Sequence, residues 1–262
     1  MNGQQSNASD RSGIQVIARA AALLRAVENE PSGLSLGELA ARLGLARSTV
    51  QRIVSALVDE GFLISAGPRN GVTLGPALAR LAAAAVIDTE RLVRPVLQSL
   101  SVATGETVDL SMLQGSSAVF LDQVMGSSRL VAVSAVGETF PLHCTANGKA
   151  LLSRLPRDKR DRLLTDPLKR YTARTITDRD VLSRQIADIA ATGIAWDNEE
   201  HSDGICAVGA SFIDPIGRDF ALSIPVPASR FDAKRDELAE QLRDAIATIL
   251  RTIPGTNLNT AA

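Results

Sequence analysis

Arg47, Ser48, Gln51, Arg52 and Ser55 recur at i, i+1, i+4, i+5 and i+8, so a helix over this stretch gathers them on one face, with Thr49 beside them. Guanidinium and carboxamide groups can make two parallel hydrogen bonds to a base edge, and hydroxyls can donate to a phosphate or a base. From Leu39 to Val58 the chain holds three arginines, at 42, 47 and 52, and no acid. These residue types at this spacing suit the reading of duplex DNA. The bland alternative is a helical hairpin with a polar outer face, because such patterns are short and recur by chance.

A second set of residues could hold a small molecule. Asn147-Gly148 opens a helix whose free N–H groups can hold a carboxylate, and Thr145 adds a hydroxyl near that end. Asp197 follows Trp196 at a strand end, and Ser223 lies on an apolar strand where a hydroxyl needs a partner. Leu130, Val133, Phe140, Ile205 and Ala207 could supply apolar walls. The plainer reading is that Asp197, Glu199 and Glu200 cap a turn or form salt bridges across a subunit contact. His143-Cys144 and His201 with Cys206 raise zinc and a Cys–His nucleophile. Adjacent residues in a strand face opposite ways, and no Cys-x-x-Cys pair or third orienting group is present, so no metal, cofactor or catalytic residue is expected.

The elements that position the first set are legible. Leu36, Leu39, Ala40 and Leu43 form one apolar stripe, and Val50, Ile53, Val54 and Leu57 form another. Ser35 with Glu38 makes a capping box, and Gly44 sits where a helix stop and sharp turn favour glycine. Gly61-Phe62-Leu63-Ile64, the turn-rich Gly67-Pro68-Arg69-Asn70-Gly71 and Val72-Thr73-Leu74 predict a hairpin. A reading helix followed by a hairpin is a winged helix-turn-helix, whose tip carries Arg69 and Asn70 to the DNA backbone or minor groove.

The stretch GLSLGELAARLGLARSTVQRIVSALVDEGF, followed by TLG at 73–75, resembles the IclR family of bacterial transcription regulators. FPLHCTANGKALL at 140–152 and GIAWDNEEHSDGICAVGASFID at 193–214 resemble that family's effector domain. The resemblance implies an α+β architecture: a winged helix-turn-helix joined by a linker helix to a GAF-like antiparallel effector-binding domain. It implies that residues matching Ala146, Asn147, Asp197, Ile205, Ala207, Ser223 and Pro225 line the ligand site. Two departures argue for a less polar pocket: many relatives have cysteine where Ala207 stands, and Pro225 replaces a hydroxyl found in some. It also implies a regulator of operator DNA, most readily a repressor although the family includes activators, working as a homodimer or a dimer of dimers with a small organic effector such as a carboxylate or aromatic-pathway metabolite. The rival is a metal-binding or enzymatic second domain with an accessory DNA-binding module.

Length and composition fit this. A chain of 262 residues is too long for one winged unit, and 45% hydrophobic content supports a core in each of two domains. The expected division is a disordered start over 1–13, a DNA-binding domain over 14–75, a linker and dimerisation helix over 76–90, an effector domain over 91–252 and a flexible end over 253–262. No apolar run is long enough to span a membrane, and no basic-then-apolar start is present, so a cytoplasmic protein is expected. Net charge is −1 overall, so DNA binding must rest on local placement of cations and on pairing of subunits. Strands are expected at Thr107 to Leu113, Ala118 to Val124, Leu130 to Val136, Ile194 to Asn198, Cys206 to Ile213 and Phe220 to Val226, with a closing helix over Asp232 to Thr252.

Overall fold

The structure is a computed structural model that describes all residues except 1–5, 29, 31, 66–70, 85–87, 131, 133–134, 165–166 and 259–262; the side chains of 6–14 and 82–84 are also left aside. The chain separates into two compact units, Met1–Val86 and Ile87–Ala262.

The first unit contains α1 (Ser6–Glu28), α2 (Leu36–Leu43), α3 (Arg47–Asp59), the antiparallel pair β1 (Leu63–Ser65) and β2 (Val72–Leu74), and α4 (Pro76–Ala84). Both apolar stripes read from the sequence meet in one core: Leu39, Val50, Ile53 and Val54 pack with Leu23, Val27, Leu34, Leu63 and Val72. The capping box is complete, with the Glu38 N–H donating to Ser35 Oγ (3.2 Å) and the Ser35 N–H donating to Glu38 Oε2 (2.8 Å). Gly44 ends α2 at φ 64°, in the left-handed region that favours glycine. Leu34 bridges Val72, giving the hairpin a third strand at one position. Gly75 fixes the exit from the hairpin: a Cβ there would lie 2.3 Å from the Gly61 carbonyl oxygen. One expectation is corrected at the start of the chain. Residues 6–13 continue α1 instead of lacking order, since extending a formed helix adds a hydrogen bond per residue with no new nucleus.

The second unit is a six-stranded antiparallel sheet with helices on both faces. Its elements are α5 (Thr89–Thr104), β3 (Val108–Gln114), β4 (Ser117–Val124), β5 (Thr139–Pro141), α6 (Ala146–Ser153), α7 (Arg157–Leu163), α8 (Arg179–Thr192), β6 (Ala195–Asn198), β7 (Ile205–Ile213), β8 (Asp219–Pro227) and α9 (Ala228–Thr252). Strand order is β5-β4-β3-β8-β7-β6. Alternation along each strand sends Val108, Leu110, Cys206, Val208, Phe212, Leu222, Ile224 and Val226 into a core with α5 and α9. The other face carries α6 and α8, whose Leu151, Leu152, Leu182, Ile186 and Ile189 pack with Ala195 and Ala221.

Three further expectations are corrected. Asp88 caps a new helix at Thr89, so the stretch 76–90 is not one helix; Pro95 lies inside α5. Pro95 is on the exposed side of α5, where the carbonyl left without its donor can meet water. At 130 the chain bends instead of running as a strand, and Val133 lies outside the described residues. The chain end is tied down as far as it is described: Ile253 is buried, and Asn257 exchanges two backbone hydrogen bonds with Ile213, at 3.0 and 3.1 Å.

Candidate functional site

On α3 the two faces divide as the spacing requires. Val50, Ile53 and Val54 are buried, whereas Arg47, Ser48, Gln51, Arg52 and Ser55 are exposed and Thr49 is half-buried. Ser48, Gln51, Arg52 and Ser55 share one open face of α3 with Ala56 and Asp59. Ala46 caps α3 without a side-chain hydrogen bond, and its carbonyl takes the Thr49 and Val50 N–H groups. The N–H groups of Arg47 and Ser48 therefore point out of the helix start, beside two guanidinium groups, where a phosphate is favoured. Arg42, the third cation of the stretch, instead pairs with Glu30 at 3.1 Å. Arg69 and Asn70 lie outside the described residues.

In the second unit a cavity of about 450 Å³ opens between the sheet and the start of α6. Its floor consists of two cross-strand rows. One is Asp197–Ala207–Pro225, and the other is Ser223–Asp109, whose row continues outside the lining as Gly209 and Ala195. Nine residues singled out in the sequence line it: Phe140, Thr145, Ala146, Asn147, Asp197, Ile205, Ala207, Ser223 and Pro225. Leu130 does not. Its side chain is 63% exposed, and its carbonyl accepts from Arg230 Nη2 because the expected strand is not formed there.

Gly209 sets the height of this cavity. A Cβ on it would lie 2.7 Å from the Ala146 carbonyl carbon, so the missing side chain lets the first turn of α6 rest on β7. Thr145 caps α6, its Oγ1 accepting the Gly148 N–H (3.2 Å) and donating to the Pro141 carbonyl (2.8 Å). Lys149 N–H goes to the Thr145 carbonyl, which leaves the Ala146 and Asn147 N–H groups at the helix start. Asn147 Nδ2 donates to Ser111 Oγ at 3.1 Å.

Sequence reading missed Asp109, Phe120, Ala132, His201 and Ser202, which complete the lining. Asp109 had a visible signal, a lone charge within the apolar strand Val108–Leu113; it is buried and accepts from Gln123 Nε2 at 2.7 Å. The ring of Phe140 lies 4.6 Å from Phe120 and 4.9 Å from His201, so one wall is aromatic. The lining is thus more polar, and more aromatic, than the departures at 207 and 225 suggested.

Behind the cavity lies a buried ion pair. Lys149 Nζ is 2.6 and 2.7 Å from the two Glu200 oxygens and 3.0 Å from Gln185 Oε1. Glu199 pairs with Arg174 at 2.8 Å and accepts the Gly204 N–H, so both glutamates are held by partners within the chain. Asp197 Oδ1 accepts the Glu200 N–H at 2.7 Å. Burial pushes the Asp197 carboxyl up to about 7; the Glu200 N–H opposes that push, the Glu200 carboxylate adds to it, and the Lys149 ammonium opposes it. His201 is held below its usual value by burial and by nearby His143 and Lys169. Among the described residues no group of three or more His, Cys, Asp or Glu is placed to hold a metal ion.

The raised Asp197 value has a stability consequence with a definite sign. Between pH 4 and about 7 the unfolded chain has lost this proton and the folded chain keeps it, so this group's contribution falls as pH rises through that window. Asp197→Asn keeps the oxygen that accepts from Glu200. Urea unfolding from pH 4 to 8 is expected to show a flatter profile for the variant, the difference reaching a few kcal/mol in order of magnitude by pH 8. Parallel profiles for the two proteins would contradict the assignment.

Comparison with known proteins gives a consistent result. Residues 16–64 match the model of the IclR helix-turn-helix domain, and residues 81–251 match that of the bacterial transcriptional regulator IclR C-terminal domain. The chain is 49% identical over 230 residues to the HTH-type transcriptional regulator Rv1719 of Mycobacterium tuberculosis, covering 88% of this chain and 89% of that one. It is 38% identical over 253 residues to the HTH-type transcriptional regulator TtgV of Pseudomonas putida, covering 97% of each. Among solved structures, an IclR-type regulator from Silicibacter sp. TM1040 superposes with a TM-score of 0.70 at 28% identity, over 92% of this chain and 96% of that one.

Proposed function

We propose, from the premise that this chain belongs to the IclR family of bacterial transcriptional regulators, that α3 reads operator DNA and that the cavity beside α6 holds the effector that decides when. The chain is a transcriptional regulator with a helix-turn-helix domain and a C-terminal effector-binding domain. The observation that carries the residue-level reading is the open cationic face of α3, with Arg47, Gln51 and Arg52 all exposed. Net charge over 1–75 is +1, from seven arginines against six acids, so one copy collects few phosphates. Two copies on half-sites about 34 Å apart supply the rest, which makes a homodimer the working unit, with a dimer of dimers as its extension. Bound at an operator, such a protein blocks any polymerase site that the operator overlaps. Repression needs no further contact and is the reading adopted, in the cytoplasm where the DNA lies. The second domain then senses and does no catalysis.

The effector class follows from the lining. Two carboxylates, Asp109 and Asp197, face the cavity, and among the described lining residues there is no lysine or arginine. Aromatic rings form one wall, and the Ala146 and Asn147 N–H groups offer donors. A small, neutral, flat molecule bearing a hydroxyl satisfies these groups: its ring packs on Phe120 and Phe140 and its hydroxyl bridges Asp197 and the helix start. A carboxylate enters readily only while Asp197 carries a proton. The ligand shifts the population of sensor arrangements and thereby the spacing of the two reading helices.

Phenol and benzoate serve as probes. Calorimetry on the full chain at pH 6 and pH 8 is expected to show phenol binding that is nearly independent of pH and benzoate binding that weakens about tenfold at the higher pH. Mobility shifts with operator DNA are then run with and without a panel of hydroxylated aromatics. Operator affinity unmoved by every member would make the protein a constitutive binder and overturn the sensor reading.

A further inference from the structure

We propose that Glu199, which does not itself line the cavity beside α6, positions that cavity's aromatic wall and so sets a preference for flat ligands. The proposal rests on the reading of the cavity as the effector site. Glu199 stands in the turn between β6 and β7, two residues after Asp197 and two before His201, both of which line the cavity. Among the described residues it is the one non-glycine residue with a left-handed backbone, at φ 59°. A residue with a Cβ resists that conformation, and such strain persists only where the surroundings hold it. The Glu199 side chain provides the hold. Its Oε1 accepts the Gly204 N–H at 2.8 Å, which closes the turn, and its Oε2 takes Arg174 Nη1 at 2.8 Å. Its carbonyl accepts from Thr172 Oγ1 at 2.7 Å. Glycine would take this φ freely and would offer neither side-chain bond.

The bond to Arg174 fastens the segment 169–175 to this turn, and the segment carries a ring. Tyr171 lies 5.0 Å from the His201 ring, His201 lies 4.9 Å from Phe140, and Phe140 lies 4.6 Å from Phe120. The four rings form a series that runs from the segment to β4, and Phe120, Phe140 and His201 line the cavity. The segment has other ties. His143 Nε2 is 2.9 Å from the Lys169 carbonyl, and Thr175 Oγ1 donates to the Glu200 carbonyl at 2.6 Å. Loss of the tether to Glu199 therefore shifts Tyr171 and His201 without undoing the segment. The carboxylate of Asp197 is held separately, by the pairing of β6 with β7 and by the Glu200 N–H. The tether thus acts on the aromatic wall and leaves the polar groups in place. Ring contacts depend on offset and tilt, so a flat ligand feels the shift most.

Phenol and cyclohexanol are the probes, titrated calorimetrically into the full-length protein. They share a hydroxyl and nearly share a size, and only phenol is flat. The parent is expected to favour phenol about tenfold. Glu199→Gly, Arg174→Met and Tyr171→Leu are each expected to cut that preference to about twofold, with cyclohexanol staying within about twofold of the parent. Glu199→Gln keeps an acceptor for Gly204 and one for Arg174, and is expected to retain most of the preference. Arg174 and Tyr171 are exposed, so their variants carry the test even where Glu199→Gly fails to fold. An unchanged preference in Arg174→Met or Tyr171→Leu would overturn the proposal. So would equal losses for the two probes, which is what a merely structural role produces. A parent that binds both probes alike would overturn this proposal and leave the sensor reading standing, whereas a parent that binds neither would overturn both.

Discussion

Replacing Arg47 and Arg52 together by alanine is expected to weaken specific operator binding by on the order of a hundredfold or more, with effector binding unchanged. Each bidentate contact from an arginine to a base discriminates by about 1–3 kcal/mol, and two per copy act in a paired protein. The fold itself has little reason to respond. Both side chains are exposed, and neither appears in an ion pair among the described residues, unlike Arg42, which is held by Glu30. Alanine also favours the helix, so stability should stay within about 0.5 kcal/mol of the parent. Mobility shift against specific and scrambled DNA at two salt concentrations separates the roles. A base-reading arginine changes the ratio of the two affinities, whereas a phosphate-binding one lowers both and reduces the salt slope. Specific binding that survives both changes would remove α3 as the reading element.

The second large effect is expected at Lys149. Lys149→Met should destabilise the second unit by about 3–5 kcal/mol, because it leaves the Glu200 carboxylate buried without its cation. Both side chains are nearly inaccessible, at 1% and 4%, and water cannot enter to replace the ammonium. The pair does not owe its place to attraction alone, since removing two charges from water costs several kcal/mol per ion. Replacing both partners with apolar residues, Lys149→Met with Glu200→Leu, should therefore recover most of the loss. The backbone bonds at Glu200 survive that change: its N–H still reaches Asp197, and its carbonyl still accepts from Thr175 Oγ1 at 2.6 Å. Urea unfolding of the three proteins tests this. A single variant costing less than about 1 kcal/mol would mean that the carboxylate finds another partner or takes up a proton.

The first unit was almost wholly legible because its determinants are local. The capping box, Gly44 and the two apolar stripes each span fewer than ten residues, and periodicity alone separates the core face of α3 from its outer face. The cavity was legible along its strands and at the start of α6. Alternation put Ala207 and Cys206 on opposite faces, and the structure places Ala207 in the lining and Cys206 in the core with α5 and α9. Register was not legible. Nothing local to Val108–Leu113 says that Asp109 stands opposite Ser223, or that Ser223 stands opposite Gly209. Phe120 escaped notice for the same reason, since it reaches the cavity through pairing across the sheet, whereas the sequence marks His201 only as a zinc ligand or nucleophile partner, and it reaches the cavity from the turn after β6. Leu130 failed differently: an apolar run suggested a strand where the chain bends, and the Leu130 carbonyl is held by Arg230 from α9, a hundred residues on.

The alternation along β7 and β8 separates two jobs that most binding proteins mix. Positions 205, 207, 223 and 225 line the cavity, while 206, 208, 224 and 226 hold the fold together. A library confined to the first four could retune which compound is detected without disturbing the packing on the reverse side. Gly209 must stay fixed in any such library, because it seats α6. The scaffold is therefore a practical starting point for genetically encoded biosensors, with selectivity and robustness adjustable on separate sets of codons.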